Sequence, residues 1–200
     1  MAENLGFLTV IDQQKTGLIG GYLVLNPAGR PLEFHCTVPV LPDKIQEILY
    51  GETLQPFLYG ERIAQTLLKR SKIPIFAAFT NNAAVLPVQN STEVPVIYVF
   101  DQKREHHVSA VVNQSLHEFG ITHDTPALAR AEMPETLKLP PLAGFDTAVW
   151  QETQIGNRWI AVPNKSESLV NELTQLARTI DFAEPFVRIR AAVEEAQKAA

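Results

Sequence analysis

The sharpest candidate for covalent chemistry is the single cysteine, Cys36, which stands next to His35. A thiolate is a strong nucleophile, and it needs a basic or positive neighbour to form near neutral pH. Adjacent strand residues point to opposite faces, however, so His35 is poorly placed to activate Cys36. A cysteine on an apolar strand face is more often a small buried hydrophobe. We therefore expect Cys36 to be buried, with catalysis by Cys36 and His35 as the alternative.

The other four histidines fall within one stretch of the chain: His106, His107, His117 and His123. His117 and Glu118 match the start of a zinc-protease helix, but Ile121 stands where the second histidine belongs. A metal site from His117, His123 and Asp124 would need these side chains to converge across a turn. Because zinc motifs have fixed spacing and this one lacks it, solvated loop histidines are favoured. The sequence predicts no metal and no cofactor.

Two adjacent glycines, Gly20 and Gly21, interrupt an apolar strand pattern. Glycine weakens a strand, so its presence indicates either close approach of a ligand or backbone, or a bend under a bulky neighbour such as Phe34. The ligand interpretation makes Gly20, Gly21 and His35 a candidate binding site. The stretch matches neither a dinucleotide fingerprint nor a P-loop, and no helix follows that could hold phosphate.

These candidates lie on a predicted antiparallel meander of three strands: 7–12, 18–25 and 31–40. The last strand alternates, with Leu32, Phe34, Cys36 and Val38 on the side that we expect to face the core. The turn from Asn26 to Arg30 predicts that Tyr22 faces Phe34, unless a bulge shifts the register by one residue.

The following segments are less regular. The sequence predicts a helix over 53–70, followed by strands over 73–80, 84–88 and 94–100. A weak helix over 109–119 and an ordered loop or linker over 122–144 come next. A closing hairpin is predicted from strands over 145–151 and 158–162. Pro95 favours an edge position for the strand at 94–100.

The clearest helical pattern is the C-terminal pair that begins at Asn164. The second helix carries an apolar stripe formed by Phe182, Phe186, Ile189 and Val193. That stripe either docks on the same chain or binds a partner. We predict an α+β domain over 1–163, built on the antiparallel meander and packed by helices, with a helical pair over 164–200 docked on it.

Composition limits the range of functions. The chain has 200 residues and a formal net charge of −5, which disfavours nonspecific binding to phosphate. The N-terminus lacks the basic region of a signal peptide, no apolar run reaches the length of a membrane span, and one cysteine suits a reducing compartment. We therefore predict a cytoplasmic protein with no nucleic-acid and no membrane partner.

No complete catalytic constellation is present in the sequence. We therefore predict a non-catalytic protein-interaction or scaffolding module of a soluble bacterial-type cytoplasmic protein, binding a protein partner or a second copy. One alternative is an enzyme that uses Cys36 or a site between His106 and Asp124. The other is a small-molecule sensor with its pocket near Gly20, Gly21 and His35.

Overall fold

The computed structural model describes residues 4–13, 16–101, 138–164 and 167–198. Its strands are β1 (Leu5–Gln13), β2 (Gly17–Leu25), β3 (Pro31–Cys36), β4 (Ala77–Thr80), β5 (Val96–Val99), β6 (Trp150–Ile155) and β7 (Arg158–Pro163). Its helices are α1 (Lys44–Tyr50), α2 (three consecutive segments, Leu54–Pro56, a π-helical Phe57–Ala64, and Gln65–Arg70), α3 (Glu167–Leu176) and α4 (Glu184–Lys198).

The seven described strands form one sheet in the order β3-β2-β1-β4-β5-β7-β6. The α+β prediction and the N-terminal meander are confirmed, because β1 pairs antiparallel with β2 and β2 with β3. The prediction of an antiparallel sheet is wrong in part, since β1 pairs parallel with β4 and β4 parallel with β5. A crossover that contains α2 returns the chain to β4, as parallel pairing requires.

Helices cover both faces of the sheet. The face with Leu8 and Val10 packs under α2, and the face with Phe7 packs under α4. Phe7 stacks on Phe79 at 4.9 Å between ring centroids, and Phe79 stacks on Phe182 at 4.7 Å. β1 is therefore a central strand that is shielded on both sides.

Two sequence predictions about the middle of the chain are wrong. The expected strand over 84–88 lies in a 3-10 helical segment, Ala83–Ser91, because a short apolar run does not distinguish a buried strand from a buried helix. The expected edge strand is β5, which lies between β4 and β7. Pro95 does not break the sheet because it precedes the strand and uses its carbonyl to accept from the amide of Ala78 at 3.0 Å.

The predicted closing hairpin is present as β6 and β7, joined through Gly156 with φ 60°, but its first strand is Trp150–Ile155 and not 145–151. Trp150 is buried there and its indole donates to the carbonyl of Val96 at 3.0 Å, whereas Trp159 is half-buried. The predicted segment 122–144 lies largely outside the described residues, as does the weak helix over 109–119. The division into units 1–163 and 164–200 stays a prediction.

Candidate functional site

The polar groups that could bind a ligand lie where the parallel pairing of β1 with β4 ends, just beyond Leu8 and Thr80. The chain leaves β1 toward β2 and leaves β4 toward β5, in opposite directions across the sheet. Open sheets bind ligands at such a switch point, outside the carboxyl ends of the parallel strands. We call this region the β1/β4 crevice.

A buried hydroxyl orients an exposed amide at the β1/β4 crevice. Among the described residues, the buried polar side chains are Thr9 in β1 and Thr80 in β4, with 3% and 1% of their surface exposed. The Thr9 hydroxyl donates to the side-chain oxygen of Asn81 at 2.7 Å. Asn81 is exposed, directly beyond the last residue of β4. The amide nitrogen of Asn81 is thereby turned to the opposite side of its side chain, where it can donate to a ligand.

The turn that carries Asn81 is held by its neighbours. The amide of Asn82 donates to the Thr80 hydroxyl at 3.2 Å. The Asn82 side-chain oxygen accepts from the amide of Ala84 at 3.0 Å and caps the 3-10 helical segment. Asn81 therefore sits between two fixed residues, which limits its movement.

Further polar side chains line the end of β1. On the α4 side, the Gln13 amide donates to the side-chain oxygen of Gln197. On the α2 side, burial raises the pKa of Tyr59, a hydrogen bond with Gln55 opposes that shift, and the negative charge of Asp12 adds to it. Asp12 and Gln55 are exposed. The carboxyl end of β1 thus carries polar side chains on both faces, with one exposed carboxylate at Asp12 on the α2 side.

A second polar cluster connects β3 to the end of α2. The Glu33 carboxylate accepts from the Ser71 hydroxyl at 2.7 Å, contacts the His35 ring nitrogen Nε2 at 2.7 Å, and accepts from the amide of Lys72 at 3.4 Å. The Ser71 hydrogen bond, followed by those from His35 and Lys72, lowers the pKa of Glu33 against the opposing effect of burial. Burial, with a smaller contribution from Glu33, raises the pKa of Tyr22 to about 12, while Ser71 opposes the shift.

This arrangement does not activate a nucleophile. In a serine triad the imidazole lies between the hydroxyl and the carboxylate, whereas here the Glu33 carboxylate lies between Ser71 and His35. His35 therefore has no proton to take from Ser71. The geometry fits a structural connection that holds the edge strand to α2.

The structure corrects the orientation that we predicted for Cys36. The register slips by one residue through a bulge between Val24 and Leu25, so Cys36 pairs with Gly21. Cys36 is exposed, not buried, and it shares the exposed side of β3 with Leu32 and Phe34. As expected from strand alternation, His35 projects from the opposite face and contacts Glu33, so it does not assist the thiol.

The two strand glycines are explained by helix packing. A Cβ built on Gly20 would lie 2.2 Å from Ile63 Cγ2 of α2, and one built on Gly21 would lie 2.3 Å from Ile189 Cγ2 of α4. Side chains thus occupy the space that a ligand would need at Gly20 and Gly21. The predicted ligand site at these glycines is corrected: the close approach is that of the two covering helices.

The structure also shows where the apolar stripe of the C-terminal helix lies. Phe182, Phe186, Ile189 and Val193 are buried against the sheet. Of the two alternatives for this stripe, docking on the same chain is the one that the structure shows; the alternative, that these four side chains bind a partner, is corrected because they are buried. The metal candidates His117, His123 and Asp124, and the whole stretch from His106 to Asp124, lie outside the described residues. In the part of the chain that the structure describes, no three His, Cys, Asp or Glu side chains group to hold a metal ion.

Sequence reasoning missed Thr9, Asn81 and their contact. The available signals were one hydroxyl within an otherwise apolar strand and an Asn-Asn pair after a buried strand. The contact itself depends on parallel pairing between strands 72 positions apart, which local periodicity does not reveal.

Comparison with known proteins gives a likeness only among solved structures. No protein-family model and no curated protein matches the sequence. The catalytic domain of human endonuclease V aligns with a TM-score of 0.48 and 12% identity, over 100% of this chain and 85% of that one. Human ENDOV aligns at 0.45 and 10% identity, over 98% of this chain and 86% of that one. Ciona intestinalis endonuclease V, in complex with a 23mer DNA that contains an inosine followed by a ribo-adenosine, aligns at 0.44 and 14% identity, over 98% of this chain and 87% of that one.

Four expectations from the sequence are contradicted by these neighbours. The neighbours are endonucleases, which contradicts a non-catalytic protein-interaction or scaffolding module, the preference against an enzyme and the description as a protein-binding domain. The exclusion of nucleic acid is contradicted because the Ciona intestinalis protein is bound to DNA. The likeness concerns the fold and does not transfer an activity to this chain.

Among the described helices, none is long and apolar enough to cross a membrane. The cytoplasmic location stays a prediction.

Proposed function

We propose that this protein binds nucleic acid at the β1/β4 crevice and contacts the bases there. The observation that carries the proposal is the hydrogen bond from the buried Thr9 hydroxyl to the exposed Asn81 amide. With its oxygen held by Thr9, the Asn81 amide still presents its nitrogen donors and the second lone pair of that oxygen in one plane, a donor and an acceptor that can match the edge of a base. Buried groups that fix an exposed polar side chain are typical of binding sites.

The net charge of the chain favours contacts to bases over contacts to phosphate. The chain carries a net charge of −5. A phosphate group would be repelled by a negatively charged protein, whereas an uncharged base would not. Single-stranded nucleic acid leaves base edges accessible, so we expect it to bind more tightly than a duplex.

Fluorescence anisotropy with labelled single-stranded and double-stranded oligonucleotides of DNA and RNA tests this proposal. We expect Asn81→Ala to weaken binding by roughly tenfold, the cost of about 1–3 kcal/mol that one lost base contact carries. Asn90→Ala is the matched control, because Asn90 is an exposed asparagine on the neighbouring segment, outside the crevice. It should bind like the unmodified protein.

Salt dependence separates base contacts from phosphate contacts. Each phosphate contact contributes a slope of about −0.7 in log affinity against log salt for single strands. We expect a slope shallower than about −2, because few phosphates are engaged. Failure of the unmodified protein to bind any oligonucleotide, or equal affinity for Asn81→Ala, would refute the proposal. The same samples, run on a denaturing gel, show whether bound strands are cut.

A further inference from the structure

The surface of α1 and of the loop that precedes it is apolar. Val38, Leu41, Ile45, Ile48 and Leu49 are each between 68% and 80% exposed. Complete burial of one aliphatic side chain removes roughly 60–120 Å² from water, so these five side chains together expose roughly 300 Å². We call them the α1 patch. Exposed apolar patches of this size mark interaction sites on soluble proteins.

The helix α1 is too short to be stable without a cover on its apolar face. It has seven residues, and none of them is buried. Its ends are well defined, because Asp43 and Gln46 form a capping box and Gly51 follows the helix with φ 51°. Isolated helices shorter than about 12–15 residues are marginal in water, and most helices are stabilised by packing of an apolar face. A partner that covers the α1 patch supplies this packing.

We propose that two copies of the chain pair through the α1 patch, with their α1 helices antiparallel about a twofold axis at Ile48. Ile45, Ile48 and Leu49 follow the i, i+3, i+4 spacing and share one face of α1. Ile48 then contacts Ile48 of the second copy, and Ile45 and Leu49 pack around this central contact. Leu41 and Val38 extend the contact beyond the helix.

The apolar area matches what a small dimer needs. Leu32 and Phe34 before the patch and Tyr50 after it are 37–46% exposed, and they add roughly 150 Å². Because homodimer interfaces are about 65% apolar, a total of roughly 450 Å² of apolar surface corresponds to about 700 Å² per partner. A standard interface buries about 800 Å² per partner. We therefore expect a dimer with a Kd in the micromolar range.

The surroundings of the patch favour a second copy over a membrane. Between positions 38 and 52 the chain has three carboxylates, Asp43, Glu47 and Glu52, against one lysine and no arginine. Anionic headgroups would be repelled by these carboxylates. A second copy brings a patch of equal size, so a single twofold contact covers both patches and leaves neither exposed.

Sedimentation equilibrium from about 1 µM to about 1 mM protein tests the pairing. The unmodified chain should shift from monomer to dimer over this range. Ile48→Lys should remain monomeric, because two like charges would meet at the axis, and it should fold because Ile48 is 71% exposed. Val187→Lys is the matched control, since Val187 is 69% exposed on α4, outside the patch, and it should dimerise like the unmodified chain.

Three results of this experiment would overturn the proposal. A monomer at every concentration would mean that something other than a second copy covers the patch. A dimer that Ile48→Lys leaves intact would place the contact elsewhere. A dimer that dissociates on addition of salt would be held by charges, whereas apolar contacts do not weaken when charges are screened.

Oxidative cross-linking tests the axis without a charged substitution. In a Cys36→Ser background, Ile48→Cys should form a disulfide with its own copy, because a residue on the axis is the closest to its counterpart. Glu47→Cys is the control on the same helix, since Glu47 is exposed and lies about 100° around the helix from Ile48, away from the apolar face. Linkage of Glu47→Cys, or none for Ile48→Cys, would contradict the axis.

Discussion

The Thr9→Val substitution separates the role of the Thr9 hydroxyl in binding from its role in stability. Valine has nearly the shape of threonine, so the buried site in β1 stays filled. The substitution removes one hydrogen bond, of net value about 0.5–1.5 kcal/mol. Asn81 is exposed, so its oxygen can bond to water instead, and the new methyl group gains about 0.8 kcal/mol of burial. These contributions nearly cancel, and we expect the free energy of unfolding to change by less than about 1 kcal/mol.

Binding should respond more strongly than stability. Without Thr9 to hold it, the Asn81 side chain becomes free to rotate, and fixing it again on binding costs about 0.5–1.5 kcal/mol. That cost corresponds to a two- to tenfold increase in the dissociation constant for single-stranded oligonucleotides. Urea unfolding gives the stability and fluorescence anisotropy gives the affinity. Thr174→Val is the control, because its hydroxyl bonds to the Val170 carbonyl on α3 at 2.7 Å, away from the crevice.

Two results would refute this reasoning. An unchanged affinity for Thr9→Val would mean that orientation of Asn81 does not matter to the ligand. A loss of more than about 3 kcal/mol in stability would mean that the Thr9 hydroxyl serves folding, since that value is typical of a broken buried network.

Three further predictions concern the frame around the site. Gly20→Ala should lower the free energy of unfolding by about 1–3 kcal/mol in urea titrations, because its Cβ would lie 2.2 Å from Ile63 Cγ2; no change would mean that α2 shifts freely. Glu33→Gln should flatten the acid side of the stability curve, measured by urea midpoints at different pH values. The folded-state pKa of Glu33 is lowered, so its stabilisation is complete above the ordinary value of about 4.3 and is lost as the pH falls through the folded value. Cys36 should react with iodoacetamide in the native protein, and mass spectrometry finding it unmodified would contradict its exposed position.

Local chemistry in the sequence predicted the hairpin between β2 and β3 well. Asn26 accepts from the amides of Ala28 and Arg30 at 3.0 Å each, and Gly29 has φ 73°, as its turn requires. The same local chemistry left the register open, because a bulge at the end of β2 shifts every pair by one residue. Turn residues identify a hairpin, but the partners of each strand residue follow from the bulge.

Which face of β3 points inward could not be predicted from alternation alone. Alternation separates Phe34 from Glu33 but does not say which side is covered. In the structure the polar side is covered, because the Glu33 carboxylate accepts a hydrogen bond from Ser71 at the end of α2, nearly forty positions away in sequence. An edge strand is partly uncovered, so its apolar side chains can remain exposed at modest cost.

The negative net charge argues against one mode of nucleic-acid binding and leaves the other open. Contacts to phosphate need lysine and arginine, and their strength depends steeply on salt. Contacts to bases need planar donors and acceptors, which asparagine supplies without charge. Because composition records only the number of charged residues, it indicates whether phosphate contacts are favoured but gives no information about base contacts. The position of Asn81, set by a threonine on a neighbouring parallel strand, is information that only the fold contains.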